Sequence, residues 1–120
     1  MSVQFDIIIL SEVWTTNIDC YSNMLPNYNF YYDLPKVSKI GGVAMFVKNN
    51  YQHEELVNMK INASSLNTEN LWIKIKKYGV TYIVGGIYRH PNQNVVEFTS
   101  ALDTVLRFRA KKLNVLSLVI

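Results

Sequence analysis

Four apolar residues in a row, Ile7 to Leu10, break at once into Ser11 and Glu12 within the segment FDIIILSEVW. A short unbroken apolar run with three isoleucines reads as a strand covered on both faces, because nothing in it alternates to mark a solvent side. A carboxylate placed where such a strand emerges sits on a rigid support in contact with water. In layered α/β folds the space beyond the carboxyl ends of the strands is where ligands collect. Glu12 is therefore the first candidate for chemistry. The competing reading makes Glu12 a plain capping residue for a helix beginning near Thr15, and the segment alone does not choose between them.

The remaining segments can be read as walls around that strand end. Thr15 to about Met24 can form a short helix, which Pro26-Asn27 stops. Asn27–Asp33 is rich in aromatics and reads as extended. Residues 35–39 read as a loop with two lysines, after which Gly41-Gly42 introduces a strand over Val43–Lys48 with Val43, Met45 and Val47 on one face. Tyr51–Thr68 shows no sustained period and reads as a strand with a loop. His53-Glu54-Glu55 lacks the second histidine of a zinc-protease helix and reads as a surface turn. Asp19 and Asp33 read as loop residues without a partner to single them out, and Trp14 and Trp72 as packing residues.

Glu69–Lys77 alternates, with Leu71, Ile73 and Ile75 inward and Lys74 and Lys76 outward. Tyr78-Gly79 supplies a turn and Val80–Tyr88 a second strand, so residues 71–88 read as an antiparallel hairpin. Gly85-Gly86 inside that strand suggests close approach of a backbone or a ligand. After the loop Arg89-His90-Pro91-Asn92-Gln93, Asn94 and Glu97 stand at capping-box spacing. The stripe Phe98, Leu102, Val105, Leu106 and Arg109 then predicts an amphipathic helix. Arg107, Arg109, Lys111 and Lys112 crowd its end, where the helix dipole favours cations, so they read as ordinary helix-end charge. Leu113–Ile120 reads as a further buried strand that stops without a turn, as in a truncated domain.

Composition narrows the class. With 49% hydrophobic and 18% charged residues, 120 residues suffice for one packed domain or a piece of one, and the composition argues against disorder. A net charge of +3 suits a polyanionic partner without demanding one. The single cysteine, Cys20, rules out an internal disulfide framework and a cysteine-rich zinc site. No apolar run approaches the length of a membrane span, and no secretory leader is visible, so an intracellular, non-secreted protein with no membrane association is expected. The sequon Asn62-Ala63-Ser64 is read as chance on that basis.

FDIIILSEVW, GGVAMFVK, ENLWIKI, IVGGIYRHPN and the helix leading into NVLSLVI, taken in that order and spacing, resemble the endonuclease/exonuclease/phosphatase superfamily. The likeness is greatest to the endonuclease domains of jockey-like non-LTR retrotransposons, and it covers most of the chain. It implies an α/β (α+β) class, deoxyribonuclease-I-like: a partial two-sheet β-sandwich flanked by helices, with a divalent-metal phosphodiesterase site at the strand ends. Carried over to this sequence, Glu12 matches the metal-binding glutamate, Tyr88 the tyrosine near the scissile phosphate, and Asn92 the asparagine that closes the segment. Arg89 and His90 are added as candidate phosphate contacts, and His90 stands where the retrotransposon pattern has a proline. The implied cofactor is Mg2+ (or Mn2+) and the implied partner is DNA, with nuclear location if genomic DNA is the target.

The same resemblance implies one partial domain over 1–120, lacking the first strand and the C-terminal half. The expected product is a fragment of a Mg-dependent endonuclease that nicks target DNA, from a polyprotein that also carries reverse transcriptase. As it stands the fragment is expected to be inactive and to self-associate through an exposed sheet edge. Two alternatives stay open: a non-catalytic remnant that binds nucleic acid weakly, and a phosphatase of the same fold. Tyr88 could simply end a strand with its ring in the core, and Arg89 and His90 could be solvated loop residues.

Overall fold

The computed structural model describes residues 5–11, 24–35, 41–61, 68–90, 94–109 and 115–119. Two sheets pack face to face. The first, sheet A, is antiparallel with the order β1 (Ile7–Ser11), β3 (Val43–Lys48), β2 (Tyr28–Asp33). The second, sheet B, has the order β4 (Gln52–Glu55), β5 (Glu69–Lys77), β6 (Val80–Tyr88), β7 (Val115–Val119). In sheet B only the β6–β7 pair is parallel, and the helix α1 (Val95–Thr104) makes the crossover. The expected two-sheet sandwich is present, with one α-helix on it among the described residues. The helix expected from Thr15, and Glu12 itself, lie outside the described residues.

Alternation decides which side chains meet. Val43, Met45 and Val47 of β3 face Leu71, Ile73 and Ile75 of β5 and Val84 of β6, and together they form the buried core between the sheets. A second core lies on the outer face of sheet B, where Trp72, Ile83 and Ile87 pack under Phe98 and Val105 of the helical segment. Lys74 and Lys76 do point outward, but Trp72 on that same face is only 1% exposed because the helix covers it. Met59, from a single 3-10 turn at Val57–Met59, and Ile61 complete this cluster.

The β5–β6 turn falls where the sequence places it. Tyr78 (φ 51°) and Gly79 (φ 77°) both adopt the left-handed conformation that a two-residue hairpin turn with matching twist requires. The Asn94 side chain accepts hydrogen bonds from the Val96 and Glu97 amides, so the expected N-cap is present, and the helix continues through a π turn at Val105–Arg109.

Four expectations are corrected. Ile7–Leu10 is half-buried rather than covered on both faces: Ile7 and Ile9 pack against the core between the sheets, while Ile8 and Leu10 alternate onto the other face. At Gly85-Gly86 the close approach is present, but it is made by side chains rather than by the expected backbone or ligand: a Cβ on Gly85 would lie 2.5 Å from the Trp72 ring, and one on Gly86 3.0 Å from Val43. His53-Glu54-Glu55 is not a turn but most of β4, held by pairing with Ile73 to Ile75. Asp33 ends β2 and is buried with two partners, an ion pair to Lys60 and a hydrogen bond from Asn70.

Candidate functional site

Register fixes which strand ends share a neighbourhood. Ser11, the last residue of β1, pairs with Val43 at the start of β3, and Val43 pairs with Asp33 at the end of β2. In the other sheet Glu69, the first residue of β5, pairs with Tyr88, the last of β6, and Val119 at the end of β7 pairs with Gly86. The sheets meet at this same end. A Cβ on Gly86 would lie 3.2 Å from Ile9 of β1, and one on Gly41 would touch Glu69, Tyr88 and His90 together. The exits of β1, β2, β6 and β7 therefore open on one end of the sandwich.

Two buried carboxylates lock that end by reciprocal bonds between the sheets. Glu69 in sheet B is 1% exposed, and its Oε1 accepts the Gly42 N–H of sheet A at 2.9 Å. Asp33 in sheet A accepts the Asn70 N–H of sheet B at 2.8 Å and pairs with Lys60 at 3.1 Å. Buried carboxylates are tolerated only when paired and hydrogen-bonded, and both are. Asn70 is fully enclosed. Its Oδ1 accepts from Ile61 N–H (2.6 Å) and Trp72 Nε1 (3.0 Å), and its Nδ2 donates to the carbonyls of Ile61 (3.0 Å) and Thr68 (3.2 Å).

Gly41 (φ 102°) and Gly42 (φ 95°) enter β3 in a conformation that side chains other than glycine rarely adopt. At Gly41 space is short as well, because a Cβ would come within 2.5 Å of Glu69 Oε1, 2.9 Å of Tyr88 and 3.0 Å of His90. The chain leaving β6 is thus pressed against a bare backbone. His90 Nε2 lies 2.9 Å from Glu69 Oε2 and 3.1 Å from Oε1, and its ring stands edge-on to Tyr88, with centroids 4.8 Å apart at 87°.

Tyr88 sits at the end of β6, half-buried, and also touches the core between the sheets. Arg89 follows it, half-buried, and His90 is brought onto Glu69. Glu12 and Asn92 lie outside the described residues, although Ser11 places the end of β1 at this same end of the fold. Glu69, Asn70, Asp33 and Gly41 are members of the cluster that the sequence reading did not select. A signal existed for Glu69 and Asn70, since they stand just ahead of the Leu71–Lys77 alternation and mark the mouth of the strand.

Among the described residues no group of three or more histidine, cysteine or acidic side chains is arranged to hold a metal ion. The carboxylates nearest the strand exits, Glu69 and Asp33, are already engaged, so the described residues do not fit a divalent ion by themselves. An open depression of about 430 Å3 lies elsewhere, bordered by Gln52, His53, Glu54, Lys74, Lys76 and Thr81, and shares no residue with this cluster.

No family model matches the sequence, and no curated protein matches it. Solved structures do match in shape. A Danio rerio TDP2, humanized by 14 mutations, superposes with a TM-score of 0.59 at 12% identity, over 85% of this chain and 44% of that one. This chain has a partial endonuclease/exonuclease/phosphatase-like fold. The catalytic domain of human Nocturnin, solved with a sulfate anion, gives a TM-score of 0.48 at 16% identity, over 84% of this chain and 43% of that one. The chain spans less than half the length of the solved chains it matches. Nothing in these matches bears on a retrotransposon origin.

Proposed function

We propose that these residues form part of a metal-dependent phosphodiesterase domain acting on DNA, of the kind found in non-LTR retrotransposon polyproteins that also carry reverse transcriptase. The observation that carries this reading is the shared end of β1 and β6, which brings the approach to Glu12 and the Tyr88–His90 exit to one mouth of the sandwich. A phenol there can donate a hydrogen bond to a phosphate oxygen, and the Arg89 guanidinium has a fork that matches the anion. Asn92, in the same loop sequence, would add an amide. Mg2+ or Mn2+, with Glu12 as its protein ligand, would polarise the phosphoryl oxygen when bound.

Residues 1–120 alone are expected to leave DNA uncut, since they span only 44% of the TDP2 chain whose fold they share. Self-association through an open edge goes with this reading, because β7 is paired on one side only among the described residues. The test uses the polypeptide encoded by the whole reading frame around these residues, incubated with supercoiled plasmid and Mg2+. Nicking that disappears in Glu12→Ala and falls at least about 10²-fold in Tyr88→Phe is the expected result. Hydrolysis of phosphate monoesters without nicking would replace the reading with a phosphatase, and DNA retention without any hydrolysis would leave a binding remnant.

A further inference from the structure

We propose that Glu69 is a positioning residue that holds the His90 imidazole with Nε2–H turned inward and Nδ1 left free for a phosphate-ester oxygen. An ionised carboxylate can only accept hydrogen bonds, so the bonds from His90 Nε2 to Glu69 at 2.9 and 3.1 Å place a hydrogen on Nε2. Glu69 is in turn fixed, with its Oε1 bonded to the Gly42 amide and its side chain 2% exposed. The ring lies between the Tyr88 ring and the bare Gly41 backbone. Tyr88 stands against it edge-on, and His90 Cε1 is 3.0 Å from where a Cβ on Gly41 would sit.

The second nitrogen, Nδ1, bonds to none of the described residues, and the His90 side chain remains 18% exposed. The two nitrogens of a histidine are distinct, and the partner of one decides what the other presents. Here Nδ1 offers a lone pair, or an N–H once the ring takes a proton from solvent. In the protonated state the buried Glu69 carboxylate compensates the charge while Nδ1–H donates to the anion. Proline at this position could do neither. The identity of the ligand rests on the phosphodiesterase reading above; the orientation of the ring does not.

The chain has two histidines, His53 and His90, so its imidazole 15N spectrum contains two sets of ring signals, and His90→Gln assigns them. At about pH 9 the His90 ring is expected to carry its hydrogen on Nε2. Glu69→Gln keeps the shape and the acceptor for Gly42 but can donate to Nε2, and should move the hydrogen to Nδ1. A wild-type ring protonated on Nδ1, or a ring pattern unchanged in Glu69→Gln, would overturn the proposal. The wild-type spectrum decides the first point even if the variant fails to fold.

The second arm adds thymidylyl-(3′→5′)-thymidine or, separately, inorganic phosphate. The expected result is a shift at His90 Nδ1 that weakens about tenfold or more in Glu69→Gln. If the ring orientation is as stated and neither ligand moves it in the wild type, the phosphodiesterase reading fails and the positioning by Glu69 stands.

Discussion

The two ends of the sandwich are both tied by polar links between the sheets, but with different chemistry. At the Tyr88 end, buried carboxylates of Asp33 and Glu69 each take a backbone amide from the opposite sheet. At the other end the links join side chain to side chain and are partly wet. Asp6 pairs with Lys77 and accepts from the Tyr51 hydroxyl at 3.0 Å, and His53 bridges Asn29 and Tyr31 at 2.7 Å each. A bond to backbone fixes the path of the chain, whereas a pair of exposed side chains only adds to its stability. The difference teaches where this fold spends its rigidity: on the end where the strand exits must keep their relative places.

The sharpest way to break that comparison is to delete the hub of the rigid end. Asn70→Ala strands the Ile61 amide and carbonyl and the Trp72 indole N–H in a buried site, and should cost about 3–5 kcal/mol. Urea unfolding measures it, and a loss below about 1 kcal/mol would mean that this end is no stiffer than the other. Next comes Gly41→Ala, which adds backbone strain at φ 102° to a contact of 2.5 Å with Glu69. A cost of about 2–4 kcal/mol is expected, together with displaced Tyr88 and His90 ring signals.

At the wet end the effects are small. Asp6→Asn should cost a few tenths of a kcal/mol, because the aspartate side chain is 35% exposed and its link to Lys77 is screened. The sign of its pH dependence is set by that link. The hydrogen bond from Lys77, foremost, holds the Asp6 carboxyl below its usual 3.8, with Tyr51 adding to the effect against the opposing cost of burial. The stabilisation is therefore present above about pH 3.8 and lost as pH falls through the lower folded value. Thermal melts of the wild type and Asp6→Asn should converge in acid. Lys77 is raised by the same hydrogen bond to Asp6, so its share is present below 10.5 and lost as pH rises beyond the folded value. A gap between the melting curves that widens in acid would reverse this account of the wet end.

Much of the fold was legible because its signals are local. The alternation of Leu71 to Lys76 and the Tyr78-Gly79 turn define the β5–β6 hairpin, and the Asn94 cap defines the helix start. A strand was expected somewhere in Tyr51–Thr68, but its place at Gln52–Glu55 was not legible, since that segment is polar and is held by pairing with β5. The same holds at the site. Tyr88, Arg89 and His90 stand in one short loop-entry segment that could be read as a unit. Glu69 and Asp33 gain their meaning from partners 27 and 37 residues away, a distance no local pattern spans. Gly85-Gly86 carried a real signal of close approach, but sequence alone could not say that the neighbours were Trp72 on one side and Val43 on the other.

The central claim is that the β1 exit bearing Glu12 and the β6 exit bearing Tyr88 serve one site. Titrating Mn2+ into the isotope-labelled chain tests it most directly, because the ion broadens signals only in its neighbourhood. The account predicts broadening of the Tyr88 and His90 ring signals that is abolished by Glu12→Ala and leaves Lys77 and Tyr51 untouched. Broadening centred on Glu54 and Glu55, or broadening at Tyr88 that survives Glu12→Ala, would contradict it.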